Sequence, residues 1–399
     1  MYKFNLGYVS VLSIFILCGS LKSEVNFTPV INLMLLGGQF NFDNEVGSYG
    51  GYLDLDFVPV IEIDEDVMLV FGYIDKYRSV KDIIELTGGA AIYQELRSQS
   101  LFCKFNHKSE SKFEINPGFT YKKELYKSDE NTEWGNGLFD NEKQDVNFEL
   151  IKRYEKFLVI GGYNYSLTKF INYNTLSDLY EQLGSTELAK SGVKLFDFNS
   201  NNVYITNEIN LDYFLFRSNL ILTEKNYEYQ KVINELGEYD PINRKDNIGY
   251  IIIDLNAYVG RNIVPGLKFE FIKYNSNQNH YDSLFNKFIP EYYNYTDTNI
   301  SPYINIPIGY TVFSLTYGFG NKKYDTRLVQ DENGNYDTNN KIIVTTELMS
   351  LSVSYMVTKN FSFIALSELK RVYSNTKYEQ LYQYNYNSLH YFFGISFKT

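Results

Sequence analysis

Beyond its N-terminus the chain has no apolar run of about 18 residues or more, so it does not cross a membrane as helices. It also lacks a basic excess. Against 48 Asp and Glu stand 37 Lys and Arg, a formal net charge of −11, and nucleic acid is excluded as a partner because a phosphate-binding surface needs surplus cations. The surplus carboxylates read as exposed loops. Cysteine is nearly absent: Cys18 lies in the N-terminal segment, which leaves Cys103 alone and no intrachain disulfide. The three histidines, His107, His280 and His390, have no triad or metal-ligand spacing. His390 lies near Ser388 and Asn387, but in neither the order nor the spacing of a hydrolytic His, Ser and Asn set. No Walker loop, dinucleotide fingerprint, zinc pattern or nucleophile elbow is present. The expectation is therefore no enzyme, no cofactor and no metal.

Residues 1–23 read as a secretory signal. Lys3 supplies the charge, 9–17 the apolar stretch, and small or polar residues from Gly19 to Ser23 lead to cleavage near Ser23–Glu24. Leu17 stands where a lipidated cysteine normally follows a small residue, so a lipid anchor at Cys18 is not expected. Residues 24–399 then form one domain with no linker, repeat or low-complexity segment.

What the chain does have is aromatic residues, 17% of the total, from 38 Tyr and 30 Phe with a single Trp. Many of its segments alternate with a period of two, as strands with one apolar and one polar face do. Phe113, Ile115, Phe119 and Tyr121 alternate with Glu114, Asn116, Gly118 and Thr120. Phe313, Leu315, Tyr317 and Phe319 alternate with Ser314, Thr316, Gly318 and Gly320. Met349, Leu351, Val353 and Tyr355 alternate with serines, and Leu53, Leu55 and Phe57 with Asp54 and Asp56. The last segment is the clearest: Leu389, Tyr391, Phe393, Ile395 and Phe397 share one face, and His390, Phe392, Gly394 and Ser396 the other. About sixteen such strands, within a range of about 14 to 18, cover residues 24–399, most of them long enough to cross a bilayer at a tilt. Their connections alternate in length. Short ones fall near 63–65, 107–110, 154–156, 212–213, 261–264, 309–312 and 357–360. Long polar ones fall near 43–50, 77–95, 126–142, 171–201, 230–245, 275–299, 325–341 and 375–386. Pro117 and Pro307 predict strands that are bulged or mis-registered by a residue, and the phase change at Gly37–Gly38 predicts a bulge.

The alternation, the loop asymmetry, the signal segment and the aromatic C-terminus together resemble bacterial outer-membrane β-barrels of the porin-like kind. The resemblance is architectural and rests on no family motif. It implies a single antiparallel up-and-down transmembrane barrel in a Gram-negative outer membrane, with short periplasmic turns, long extracellular loops and both termini periplasmic. The partners it implies are outer-membrane lipid, small hydrophilic solutes and the barrel-assembly machinery, while self-association into a homo-oligomer stays open. Tyr391, Phe393, Ile395 and Phe397 would carry the assembly signal on a last strand closing against 27–35, although Lys398–Thr399 follow where porins usually end on the aromatic.

In such a barrel the polar face lines a wet interior. The pore-lining set would be Asp54, Asp56, Lys104, Glu114, Lys122, Glu149, Glu208, Arg217, Asp254, Lys268, Glu270, Glu368 and Lys370, with Asn147 and Asp212 beside them. Tyr126, Tyr154, Tyr163, Tyr165, Tyr213, Phe214 and Tyr373 would sit in the interfacial girdles. Leu176, Leu179, Tyr180 and Leu183 have the spacing of a short amphipathic helix, capped by Thr175, that would narrow the mouth. The run Asp331–Asp337 has oxygen ligands at alternate positions but its Gly is misplaced and it lacks the closing Glu of a calcium loop, so it reads as an exposed turn. The function expected is passive diffusion of small hydrophilic solutes. A surface barrel whose loops bind partners is a second reading. A transporter for hydrophobic molecules is a third, disfavoured because no segment before the first strand is long enough for a plug.

Overall fold

The structure, a computed structural model, describes residues 26–43, 48–86, 89–109, 113–128, 131–173, 194–260, 262–378 and 384–399. Sixteen of its strands close into one antiparallel barrel. In chain order they are β1 (Asn26–Phe42), β2 (Ser48–Glu62), β3 (Val67–Leu86), β4 (Gly89–Lys108), β5 (Phe113–Lys127), β6 (Asn141–Arg153), β7 (Phe157–Phe170), β8 (Phe198–Leu211), β9 (Phe214–Ile233), β10 (Tyr239–Ala257), β11 (Val264–Ser276), β14 (Tyr295–Ile308), β15 (Thr311–Gln330), β16 (Tyr336–Met356), β17 (Phe361–Ser374) and β18 (Tyr386–Lys398). Two short strands, β12 (His280–Asp282) and β13 (Lys287–Ile289), make a separate hairpin between β11 and β14. Each strand pairs with its sequence neighbours and β1 pairs with β18, so the sheet has no open edge. The aromatic and β-branched residues that fill these segments suit strands with one face against an apolar medium.

Partners in the ladders share a face of the sheet, so the register sorts the side chains. One ring of partners runs Lys104, Gly118, Asn147, Asn164, Asn202 and Thr223. The other face carries large apolar side chains that stay exposed, among them Phe393 (66%), Val146 (58%) and Leu101 (54%). Curvature identifies the inner face. Lys104 on β4 reaches Glu149 on β6, and Tyr303 on β14 reaches Asp254 on β10, each across an intervening strand. Side chains from alternate strands converge only on the concave side, so the polar face is the interior and the apolar face meets lipid.

The seam is staggered. β18 pairs with β1 over Asn32–Phe42, higher than the 27–35 stretch expected from sequence, because closing a tilted sheet shifts the register. Lys398 and Thr399 take part in it. The Thr399 backbone N–H donates to Ile31 O (3.0 Å), its Oγ1 accepts from Ile31 N–H (2.8 Å), and the Asn360 side-chain amide donates to Lys398 O (2.6 Å).

None of the three expected bulges forms. Gly37 and Gly38 pair in unbroken register on both sides, and what changes there is the face that is apolar: Leu33 and Leu35 point out, Leu36, Phe40 and Phe42 point in. At Pro117 the β4–β5 register is the same before and after a gap in pairing, so the lost N–H is absorbed without an added residue. Pro307 pairs with Val312 beyond the last β11–β14 partners, Val264 and Asn305, where it interrupts nothing with β11. The bulges that exist lie higher, in β3–β4, β9–β10 and β15–β16.

Three connections expected to be loops are largely strand. β3, β4, β9 and β15 have 20 residues each and β16 has 21, about twice a bilayer crossing, so these hairpins stand up as ribbons. Above the lipid both faces are wet and alternation disappears, yet a ladder ends only where a residue turns it. In two ribbons those turns hold Gly237 and Gly334, with φ of +81° and +85°. Replacing Phe393 by Arg should cost about 2–4 kcal/mol and prevent a folded, heat-modifiable barrel from forming, whereas Ser352→Arg on the inner face should fold; equal folding of the two variants in an electrophoretic mobility assay would refute the assignment of faces.

Candidate pore interior

All thirteen residues expected at the pore lie on the inner face by register, and most are tied to one another or to a neighbour in the wall. Glu208 and Arg217 pair at 2.7 Å, Lys104 and Glu149 at 3.4 Å, and Lys268 and Glu270 at 2.6 Å. The remaining partners were not anticipated: Lys76 for Asp54 (3.3 Å), Arg153 for Glu114 (3.0 Å), Glu124 for Lys122 (2.5 Å) and His390 for Glu368 (3.9 Å). The Lys370 ammonium lies 5.3 Å from the Tyr386 ring centre, and Asp56 stands opposite Asn32 and Ile74 in its ladders. Asn147 is inward as expected. Asp212 sits instead in the β8–β9 turn, facing Lys156 at 3.5 Å. Of the expected girdle, Tyr154, Tyr163, Tyr165, Tyr213, Phe214 and Tyr373 are exposed, while Tyr126 is a buried inner-face residue that packs on Tyr93.

A recurrent device lays long side chains flat against the wall. Tyr204 crosses Gly162 on β7 so that its hydroxyl donates to Glu149 Oε1 on β6 (2.6 Å). Tyr303 crosses Gly266 on β11 and donates to Asp254 Oδ1 on β10 (2.6 Å). Lys104 crosses Gly118 on β5 to the other side of Glu149. A Cβ at Gly162 or Gly266 would land inside the tyrosine ring, and one at Gly118 would strike Asn147 and the Lys104 stem. Glycine is used here for the close approach it permits. The result is a polar wall whose arms run along the sheet.

Four loops at the mouth close in one way. The residue immediately before β6, β8, β14 and β18 is Asp140, Asp197, Asn294 and Asn385. Each accepts, through its side chain, the backbone N–H of the residue at or next to the end of the preceding barrel strand: Tyr126 (2.7 Å), Phe170 (2.8 Å), Ser276 (2.6 Å) and Ser374 (2.8 Å). The backbone carbonyls of the first three accept from the strand beyond, at Ile171, Glu228 and Asp325. Burial raises the Asp140 and Asp197 carboxyls above the ordinary range, and the backbone donors oppose it. The signal was present in the sequence as Leu138-Phe139-Asp140, repeated as Leu195-Phe196-Asp197.

The predicted constriction at Leu176, Leu179, Tyr180 and Leu183 lies outside the described residues. The loop 277–294 packs against the ribbons beside it. Its Tyr292 ring packs 3.9 Å from the Arg327 guanidinium, and its Tyr293 ring 4.5 Å from that of Arg244, which is fully buried and paired with Asp246 (2.9 Å). Arg327 also donates to the Tyr384 hydroxyl (2.8 Å), and the Tyr336 hydroxyl donates to Asp282 Oδ2 (2.7 Å). The loop is thus anchored to the ribbons on either side. In the Asp331–Asp337 run, Asp331 Oδ1 accepts the backbone N–H groups of Asn333 and Asn335 (2.9 Å each), and the Asn335 amide depresses its pKa. That carboxylate serves a turn, and no cluster of metal-ligating residues occurs among the described residues.

No protein-family model matches the chain, and no curated protein does. Among solved structures it is similar to a loop-deletion mutant of OmpT, an outer membrane protein of Vibrio cholerae, at 11% identity over 94% of this chain and 100% of that one, with a TM-score of 0.49. An anion-selective porin from Comamonas acidovorans is 8% identical over 94% and 100% of the two chains, with a TM-score of 0.46. The FrpB iron transporter from Neisseria meningitidis is 10% identical over 90% of this chain and 66% of that one, with a TM-score of 0.44. Likeness this faint carries no argument about function. The outer-membrane-type barrel stands on its closed register and its apolar outer face.

Gly162→Val should displace the Tyr204 ring from Glu149, and Tyr204→Phe should remove the same hydrogen bond. Each is expected to cost about 1.5 kcal/mol in urea unfolding, with little further loss when the two are combined. Full additivity would mean that the glycine does not serve the tyrosine.

Proposed function

We propose that the chain is an outer-membrane channel through which small hydrophilic solutes diffuse passively. The observation that carries this reading is the inner wall: a closed sixteen-strand barrel whose inward side chains are polar and lie along the sheet. Barrels of this size leave an aqueous lumen unless something fills it. In this reading the thirteen inner-face residues set ion preference, and their mixed signs make it mild. Both ends of the barrel sequence, at Asn26 and Thr399, belong to the side of the short turns, which we assign to the periplasm. Tyr391, Phe393, Ile395 and Phe397, outward-facing at the end of β18, are assigned as the signal for the assembly machinery.

A second reading rests on the ribbons. Leu236 and Leu284, at the tips of the β9–β10 and β12–β13 hairpins, are 75% and 82% exposed on anchored supports, as contact residues for a partner would be. Refolded protein in planar bilayers should give discrete ohmic steps, and Arg217→Glu with Lys268→Glu should move the reversal potential in a salt gradient towards cation preference. Absence of conductance alongside retained loop-dependent partner binding would replace the channel by the second reading.

A further inference from the structure

At the level of Leu36 the seam where the barrel closes is apolar on both sides. One inner row of ladder partners crosses it: Arg78 on β3, Tyr52 on β2, Leu36 on β1, Gly394 on β18 and Ile364 on β17. Leu36 packs with Phe40, Val80 and Phe392, and Met34, Tyr52, Ile364 and Leu366, half-buried on the same inner face, pack against that cluster. Phe392 is fully buried, with its ring edge-on to Tyr52 at 5.0 Å. The row therefore offers an aliphatic and aromatic strip with a cation at its β3 end. Arg78 is exposed, and its guanidinium lies 5.7 Å from the Tyr52 ring centre. The nearest inner carboxylate in the adjacent row, Asp54, is engaged by Lys76 at 3.3 Å. Four strand-to-strand steps separate Arg78 from Ile364, roughly 19 Å along the sheet. Directly outside, a lipid-facing groove of about 400 Å³ is lined by Tyr355, Phe363, Ala365 and Phe393 together with Ile364 and Gly394 of the inner row. Gly394 has no side chain to thicken the wall there, and a Cβ would strike the Leu35 carbonyl.

We propose that this strip binds an anionic single-chain amphiphile of the fatty-acid class, its carboxylate at Arg78 and its chain along the half-buried side chains of Tyr52, Ile364 and Leu366. The chemistry of the strip selects that ligand. A purely apolar guest would leave the cation unused, and a small anion would gain nothing from the strip. A guanidinium can hold a carboxylate by charge-assisted hydrogen bonds while it rests beside an aromatic face. The strip does not depend on whether the lumen conducts ions, and its test does not read conduction.

The test uses the refolded full chain in phosphatidylcholine vesicles, photolabelled with a palmitate analogue bearing a diazirine near its tail, and maps the cross-links. Inner positions Tyr52, Ile364 and Leu366 should be labelled, with competition by free palmitate. Arg78→Gln should reduce that labelling about tenfold and leave the lipid-facing positions Leu35 and Ala365 unchanged. Leu366→Asn, which keeps the cation, should also reduce labelling of the inner set. Labelling confined to the lipid-facing positions, equal labelling by an alkylammonium analogue, or no effect of Arg78→Gln would overturn the proposal.

Discussion

Every backbone N–H and C=O in the hydrocarbon layer must find a partner inside the protein, because lipid offers none. The rest of this molecule follows from that requirement. A sheet meets it only by closing, and closing forces the stagger that pairs β18 with Asn32–Phe42 and leaves the final two residues to bond Ile31 and Asn360. Once the sheet is closed, period-two alternation sends one half of the side chains to lipid and the other half to an enclosed space. That division is why Leu53 and Asp54, one residue apart, live in different solvents.

The interior shows how a wide barrel handles charge. Its carboxylates and cations meet in short-range pairs along the wall, and tyrosine hydroxyls supply further donors to the same carboxylates. Glycines on intervening strands let these arms lie down, so the wall gains thickness without filling the lumen. At the seam the same inner face turns apolar, and there the glycines allow the backbones of β1, β2 and β18 to pack closely. One residue type thus serves hydration in one sector and a dry contact in another.

Legibility followed the environment. Where one face meets lipid and the other water, as in 349–355 or 389–397, strand and facing could be read residue by residue. Above the membrane both faces are wet, so the upper halves of β9, β10, β15 and β16 looked like polar loops although their ladders continue. The inner-face residues were readable because parity alone assigns them. Their partners were not, since pairing Lys104 with Glu149 requires knowing the register of three strands and seeing that Gly118 lies between. Tyr126 misled for a related reason: its position near a strand end suggested a girdle, but parity turns it inward. The Asx residues that close the loops left a visible trace in a repeated Leu-Phe-Asp, whose meaning depends on which N–H each carboxylate takes.

Those loop closures separate the length of a loop from the integrity of the barrel. Asp140, Asp197, Asn294 and Asn385 lock both feet of their loops together, so the chain between them is a tethered arc whose closure is already secured locally. Lengthening a flexible arc costs little, about 0.6 kcal/mol for each doubling. That rim of the barrel is therefore a set of sockets, into which foreign peptides of quite different length can be spliced between fixed ends while the sixteen strands beneath keep their register.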